Sequence, residues 1–201
     1  MILKPHATIE KLRSGTGVTI AAIGDSLTYG WMVRKGYVDF LEEMLRGKYP
    51  ESRLSIVGSG IPGDTADSGL SRLQEDVLDE EPDCILVQYA INDAECGFTV
   101  SQFRYYIQEI IGKIRRTGDA DIVLVTSIYI ENERGNQLVA PYYRQLEALG
   151  EANGLPVARV HTYWKKKIEE GIEFLSLVQG DRVHPTVAGY QLMAEAIMKI
   201  F

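Results

Sequence analysis

Val18-Thr19-Ile20-Ala21-Ala22-Ile23-Gly24-Asp25-Ser26-Leu27-Thr28-Tyr29-Gly30 is the stretch from which the fold is read. An apolar run from Val18 to Ile23 stops at Gly24 and gives way at once to the polar cluster Asp25-Ser26-Leu27-Thr28. A short run rich in β-formers and closed by glycine reads as a buried strand that delivers its next residues into a turn. Burial on both faces explains why the run is nearly all apolar instead of alternating. Ser26 is thereby placed just past the carboxyl end of a central strand, where open α/β sheets hold their ligands. That makes it a candidate nucleophile, given a base and an oxyanion site from elsewhere in the chain.

Working outward, apolar strand-like runs recur at Leu54–Val57, Cys84–Ala90, Ile122–Thr126 and, more weakly, Pro156–Val160. Between them lie segments with helical spacing. Tyr37–Leu45 is closed by Gly47 and Pro50, and Gly69–Leu78 is closed before Pro82. A helix running to about Thr117 opens on a capping box formed by Thr99 and Gln102. Another runs from about Val139 to Ala152 and stops at Asn153-Gly154. A short helix is expected around Trp164–Glu170, and a final one carries Val187, Gln191, Ala194, Met198 and Phe201 on or near one stripe. Residues 1–17 read as a polar lead-in, Glu131–Gln137 as a long polar loop, and Tyr129–Tyr142 as a rim over a cleft. Alternating strands and helices signal βαβ units, hence a parallel sheet of about five strands in a three-layer α/β/α sandwich.

The 201 residues fit one domain spanning 1–201, long enough to bury roughly 70% of the unfolded surface without a staple. A net charge of −7 argues against nucleic acid and against stable association with an anionic membrane. The basic run Lys165-Lys166-Lys167 is answered by Glu169 and Glu170 and reads as a solvated helix face. Two cysteines, Cys84 in an apolar run and Cys96 in a polar loop, are too few for a disulfide framework. Neither their spacing nor the three histidines suits a metal site. With no apolar leader and no run near the roughly 20 residues of a membrane span, a soluble cytoplasmic protein is expected.

Three strand-end loops line up on one edge of this sheet, Gly24-Asp25-Ser26, Gly58–Gly63 and Ala90–Asp93, and a fourth loop before the last helix, Gly180–Pro185, is within reach of the same edge. A serine hydroxyl is a weak nucleophile until a neutral imidazole takes its proton. His184 is the best candidate base; His6 lies in the lead-in and His161 reads as a surface or core residue. Asp181, three residues before His184, is placed to bond the far ring nitrogen, and Pro185 biases His184 away from helical geometry. Candidate oxyanion donors are the Ser26 N–H, the Gly60 N–H and the Asn92 side-chain amide. Asp25 and Asp93 are assigned to holding their loops in shape. Trp31 and Val183 are candidate walls of a substrate pocket, with helix packing the competing role for Trp31. Taken singly, each motif reads as a turn, a helix cap or a tight loop; together, at successive strand ends, they describe acyl transfer to serine.

The same residues resemble the SGNH hydrolases, the GDSL-type lipases and esterases. Their first block matches Gly24-Asp25-Ser26-Leu27-Thr28, the second places its glycine at Gly60, the third its asparagine at Asn92, and the last matches Asp181, His184 and Pro185. The third block departs from the family pattern, with Ala90 where a glycine is usual. The resemblance implies a flavodoxin-like sandwich, no metal or organic cofactor, and hydrolysis of a small-molecule carboxylic ester through an acyl-enzyme. In that scheme Ser26 attacks, His184 and Asp181 manage the proton, and Ser26, Gly60 and Asn92 hold the oxyanion. Short acyl or acetyl esters, acetylated sugars among them, fit an acidic chain with no lipid-facing patch. A thioesterase or an acyltransferase would use the same residues, and a non-catalytic doubly wound module would bind a small ligand at the same loops. The α/β-hydrolase fold is disfavoured because Thr28 stands where its second elbow glycine belongs.

Overall fold

The computed structural model describes residues 3–201. Five strands, β1 (Gly17–Gly24), β2 (Arg53–Gly60), β3 (Cys84–Gln88), β4 (Asp121–Val125) and β5 (Val157–Ala158), form one sheet in the order β2-β1-β3-β4-β5. Every pairing is parallel. β1 and β3 lie inside the sheet and are buried almost throughout, which is why their sequences run apolar without alternation. β2 is an edge strand, and its burial pattern is correspondingly mixed.

Helices cover both faces. After β1 come α2 (Ser26–Tyr29) and α3 (Tyr37–Lys48), and the chain ends with α8 (Val160–Glu169), α9 (Phe174–Leu177) and α10 (Val187–Met198). α10 packs on α3, α8 and α9 as one layer. The second layer is built from α4 (Ala66–Asp76), α6 (Val100–Thr117) and α7 (Glu133–Asn153), which pack in succession, with α5 (Ile91–Glu95) against α7. In a 2-1-3-4-5 sheet the chain reverses its direction of travel between β1 and β3, and the loops leaving those two strands open a crevice.

Several elements depart from the sequence expectation. The polar lead-in contains a helix, α1 (His6–Arg13), whose buried side chains are Thr8, Ile9 and Leu12. It is clamped to the sheet by Thr8, whose N–H and hydroxyl both donate to Asp121 Oδ2, at 2.8 and 2.7 Å. The expected loop at Glu131–Gln137 is largely the start of α7, which Asn132 caps by accepting from Gly135 N–H at 2.6 Å. The rim expected over Tyr129–Tyr142 is therefore mostly helical, with Tyr142 buried. On α10, Val187 and Gln191 are exposed, and the buried residues include Tyr190, Met193, Ala194 and Ile197; packing against three helices replaces the single stripe.

Ala90, immediately after β3, has φ 146° and ψ −42°, a region that L-residues rarely adopt. Such backbone strain costs about 1–3 kcal/mol, which the lower native-state preference of glycine offsets by roughly 0.5–1 kcal/mol. Ala90→Gly is expected to raise the melting temperature by a few degrees at most, measured by circular dichroism; a lower melting temperature would contradict the strain. Thr8→Val removes the hydroxyl bond to a carboxylate and is expected to destabilise by about 1–3 kcal/mol. That corresponds to a fall in Tm of roughly 2–10 °C, and an unchanged Tm would remove the clamp from the account.

Candidate active site

Ser26 is the first residue of α2, and its position is set by the turn before it. Asp25 caps that turn, its Oδ1 accepting from Leu27 N–H at 2.9 Å. The Ser26 carbonyl accepts from the N–H groups of Gly30 and Trp31, each at 3.1 Å. Gly60, at the end of β2, packs directly beneath: a Cβ there would lie 2.2 Å from Tyr29 N and 2.6 Å from Thr28 C, so only glycine fits. Gly60 is paired with Gly24, and the Ile61 N–H donates to the Gly24 carbonyl at 3.0 Å. Ladder alternation then turns the Gly60 N–H away from β1.

The second half of the site comes from the far end of the chain. Val178 and Pro185 form an antiparallel bridge, Gln179 N–H donates to the His184 carbonyl at 2.7 Å, and Arg182 N–H donates back to the Gln179 carbonyl at 2.9 Å. The Gln179 amide ties this turn to the nucleophile loop, donating to the Trp31 carbonyl at 2.9 Å and the Pro185 carbonyl at 2.8 Å. Inside the turn, Asp181 Oδ1 accepts from the N–H groups of Val183 and His184, both at 2.9 Å, and Oδ2 lies 2.6 Å from His184 Nδ1. His184 Nε2 lies 3.0 Å from Ser26 Oγ. A carboxylate accepts only, so Nδ1 carries the proton and the Nε2 lone pair faces the serine hydroxyl. Partial burial works to raise the Asp181 pKa, but the Val183 N–H, the His184 ring and the His184 N–H outweigh it and hold the carboxyl below its usual value.

Between these loops opens a cleft of about 160 Å³ whose lining includes Ser26, Ile91, Asn92, Glu95, Val183 and His184. Asn92 Nδ2 donates to the Asp64 carbonyl at 2.9 Å. An amide nitrogen carries two hydrogens, so this bond fixes the plane of the amide and leaves a second N–H free. Trp31 is not part of this lining; its ring lies 5.8 Å from the His184 ring, tilted by 37°. His6 is exposed, and His161 stacks on Tyr143 at 4.7 Å, away from the cleft. No group of three or more His, Cys, Asp or Glu among the described residues is placed to hold a metal ion. No helix among them is long and apolar enough to cross a membrane.

Behind the cleft lies a polar layer that the sequence reading did not single out. Gln88 Nε2 donates to Asp25 Oδ2 at 3.3 Å and to Ser127 Oγ at 2.8 Å, while its Oε1 accepts from Thr28 Oγ1 at 2.9 Å. Arg72 and Tyr89 converge on Asp64. The sequence signal for this layer is a polar residue closing an otherwise apolar strand, as Gln88 does. Asp93 Oδ1 accepts from Ala66 N–H, the first residue of α4, at 2.9 Å; Oδ2 is buried with no partner among the described residues. Burial pushes Asp25 up to about 7 and Asp93 up to about 6, against the pull of N–H donors on each.

A carboxyl that binds its proton more tightly when folded loses stability as pH climbs from the unfolded pKa to the folded one. For Asp93 that window runs from 3.8 to about 6. Asp93→Asn keeps an acceptor for the Ala66 N–H and has no such titration. Its Tm is expected to improve relative to the parent as pH rises through the window, measured by thermal melts across a buffer series. A constant difference would contradict the shift.

Three comparisons with known proteins bear on this geometry. The GDSL-like lipase/acylhydrolase family model matches residues 22–192. An acetylxylan esterase from Geobacillus stearothermophilus is 24% identical over 211 residues, covering 94% of this chain and 95% of that protein. Thioesterase 1/protease 1/lysophospholipase L1 from Escherichia coli (strain K12) is 23% identical over 188 residues, covering 93% and 85%. The crystal structure of the Geobacillus stearothermophilus esterase superposes with a TM-score of 0.83 at 23% identity, covering 94% of this chain and 95% of that one, so the two share a fold. With three of the four family blocks falling on the loops that line the cleft, this chain belongs to the GDSL-like lipase/acylhydrolase family and is a carboxylic ester hydrolase.

Proposed function

We propose that the protein is a serine esterase acting on short-acyl esters, acetylated sugars among them, through an acyl-enzyme formed on Ser26. The observation that carries this reading is the hydrogen-bonded series from Asp181 Oδ2 to His184 Nδ1 at 2.6 Å and from His184 Nε2 to Ser26 Oγ at 3.0 Å. Ser26 Oγ attacks the ester carbonyl as His184 Nε2 takes its proton. Asp181 holds the ring in the tautomer that makes this possible and stabilises the imidazolium that results. The carbonyl oxygen, now negative, is met by the N–H groups of Ser26 and Gly60 and by the free Asn92 amide hydrogen. Donors fixed before the reaction need no reorganisation, and each is worth about 100- to 1,000-fold in rate. His184 next gives its proton to the departing alcohol. A water then repeats the sequence on the acyl-enzyme, and Ser26 is regenerated as the acid leaves.

The preference for short acyl groups rests on the size of the cleft, about 160 Å³, and on the apolar side chains of Ile91 and Val183 along it. That volume suits an acetyl group with part of its alcohol. The acetylxylan esterase among the relatives supports the same direction and adds the sugar.

Ser26→Ala is expected to lower turnover of p-nitrophenyl acetate by at least about 1,000-fold, with the protein still folded by circular dichroism. In the parent, kcat/KM across p-nitrophenyl esters should be highest for acetate and fall with chain length, and acetylated xylo-oligosaccharides should be deacetylated. Turnover retained in Ser26→Ala would overturn the nucleophile; an optimum at long chains would overturn the substrate class.

A further inference from the structure

The donors assigned to the oxyanion come from three different strand ends, and one partly buried cation reaches the backbone or loop of each. Arg72, on α4, donates through Nη2 to the carbonyl of Gly24 at 3.0 Å, two residues before Ser26 at the end of β1. Through Nε at 2.9 Å and Nη2 at 2.6 Å it holds Asp64 Oδ2, in the loop that follows β2. Nη2 also lies 3.2 Å from the hydroxyl of Tyr89, the residue after β3 and three before Asn92. Tyr89 itself donates to Asp64 Oδ2 at 3.0 Å. The Asp64 carbonyl in turn receives the Asn92 amide. Gly69 makes room for this arrangement: a Cβ there would lie 2.1 Å from the Tyr89 hydroxyl.

We infer that Arg72, acting through Asp64 and Tyr89, is a positioning residue that sets the relative placement of the Ser26, Gly60 and Asn92 donors. The inference rests on the esterase reading of the site given above. Its side chain and that of Asp64 are only 13% and 5% exposed, so solvent does little to loosen the pair. Nη1 is anchored separately on Asp76 Oδ2 at 2.8 Å, within the same helix, which fixes the guanidinium plane to α4. A surface ion pair touches one neighbour and tolerates drift; this fork spans three loops, and a shift in any one of them is transmitted to the others. Lysine carries the same charge but lacks the planar fork, so it cannot keep the Nε bond to Asp64 and the Nη1 bond to Asp76 that aim Nη2 at Gly24, Asp64 and Tyr89.

The test is a comparison of Arg72→Lys, Arg72→Gln and Tyr89→Phe with the parent, assayed well below their melting temperatures. Arg72→Lys is expected to lower kcat for p-nitrophenyl acetate by about 10- to 100-fold, a partial loss of the oxyanion effect. KM should stay within about threefold. Arg72→Gln should fall further, and Tyr89→Phe should lose a smaller part of kcat. The inhibition constant of phenylboronic acid, whose tetrahedral adduct with a serine presents an oxygen to the same donors, should weaken in step with kcat. If Arg72→Lys fails to fold, Tyr89→Phe, which leaves the ion pair in place, carries the same comparison. A folded variant with parental kcat, or one whose kcat falls while boronate affinity is unchanged, would overturn the inference. Ser26→Ala separates the two levels: if it retains turnover the esterase reading fails, whereas a dead Ser26→Ala beside a parental Arg72→Lys removes only the positioning role.

Discussion

The candidate site depends on one contact between residues 158 positions apart, the 3.0 Å approach of His184 Nε2 to Ser26 Oγ. Neither partner reaches the other by local geometry. Ser26 is fixed because β1 is interior, paired on both sides, and ends at a glycine that lets α2 begin at once. His184 is fixed because its turn is bridged to itself at Val178 and Pro185 and tied by Gln179 to the Trp31 carbonyl. The packing of α10 against α3 brings the chain's last elements beside its first crossover. The sheet order thus does the work that sequence proximity cannot.

Beneath this contact the protein keeps an unusual concentration of charge out of water. Asp25, Asp64 and Asp93 are all buried, and Arg72 is paired to only one of them. Burying a carboxylate without a full set of partners is costly, and the upward displacement of Asp25 and Asp93 reports that cost. What these groups supply is rigidity in three loops that carry little regular structure. Asp25 caps α2, Asp93 caps α4, and the Asp64 carboxylate, held by Arg72 and Tyr89, fixes the loop whose backbone carbonyl takes the Asn92 amide. Stability is given up locally around the cleft, at the strained backbone of Ala90 as well as at these carboxyls.

Much of this was legible in the amino-acid sequence, for identifiable reasons. Interior parallel strands are apolar on both faces, so β1, β3 and β4 stand out as runs. The capping box at Thr99 and Gln102 marks α6 because its two side chains bond backbone groups locally. The serine and the asparagine were visible because each is a polar residue just past an apolar run, the histidine by elimination among three, and the aspartate by its position three residues before that histidine. What escaped was set by tertiary contact. α1 buries only two large apolar side chains and is recognised by Thr8 reaching Asp121, across more than half the chain. The first turns of α7 are polar because one face meets solvent, and only the Asn132 cap betrays them. Arg72 and Asp64, eight residues apart across a turn, carry no local sequence signal and meet only when the fold closes over them.

The measurement that bears most directly on the central contact is active-site labelling with a fluorophosphonate, read by intact-mass and peptide mass spectrometry. The account predicts a single adduct on the Ser26 peptide, formed fast in the parent and strongly slowed when His184→Ala removes the base, with both proteins folded. Labelling at another residue, or a Ser26 that reacts equally fast without His184, would contradict it.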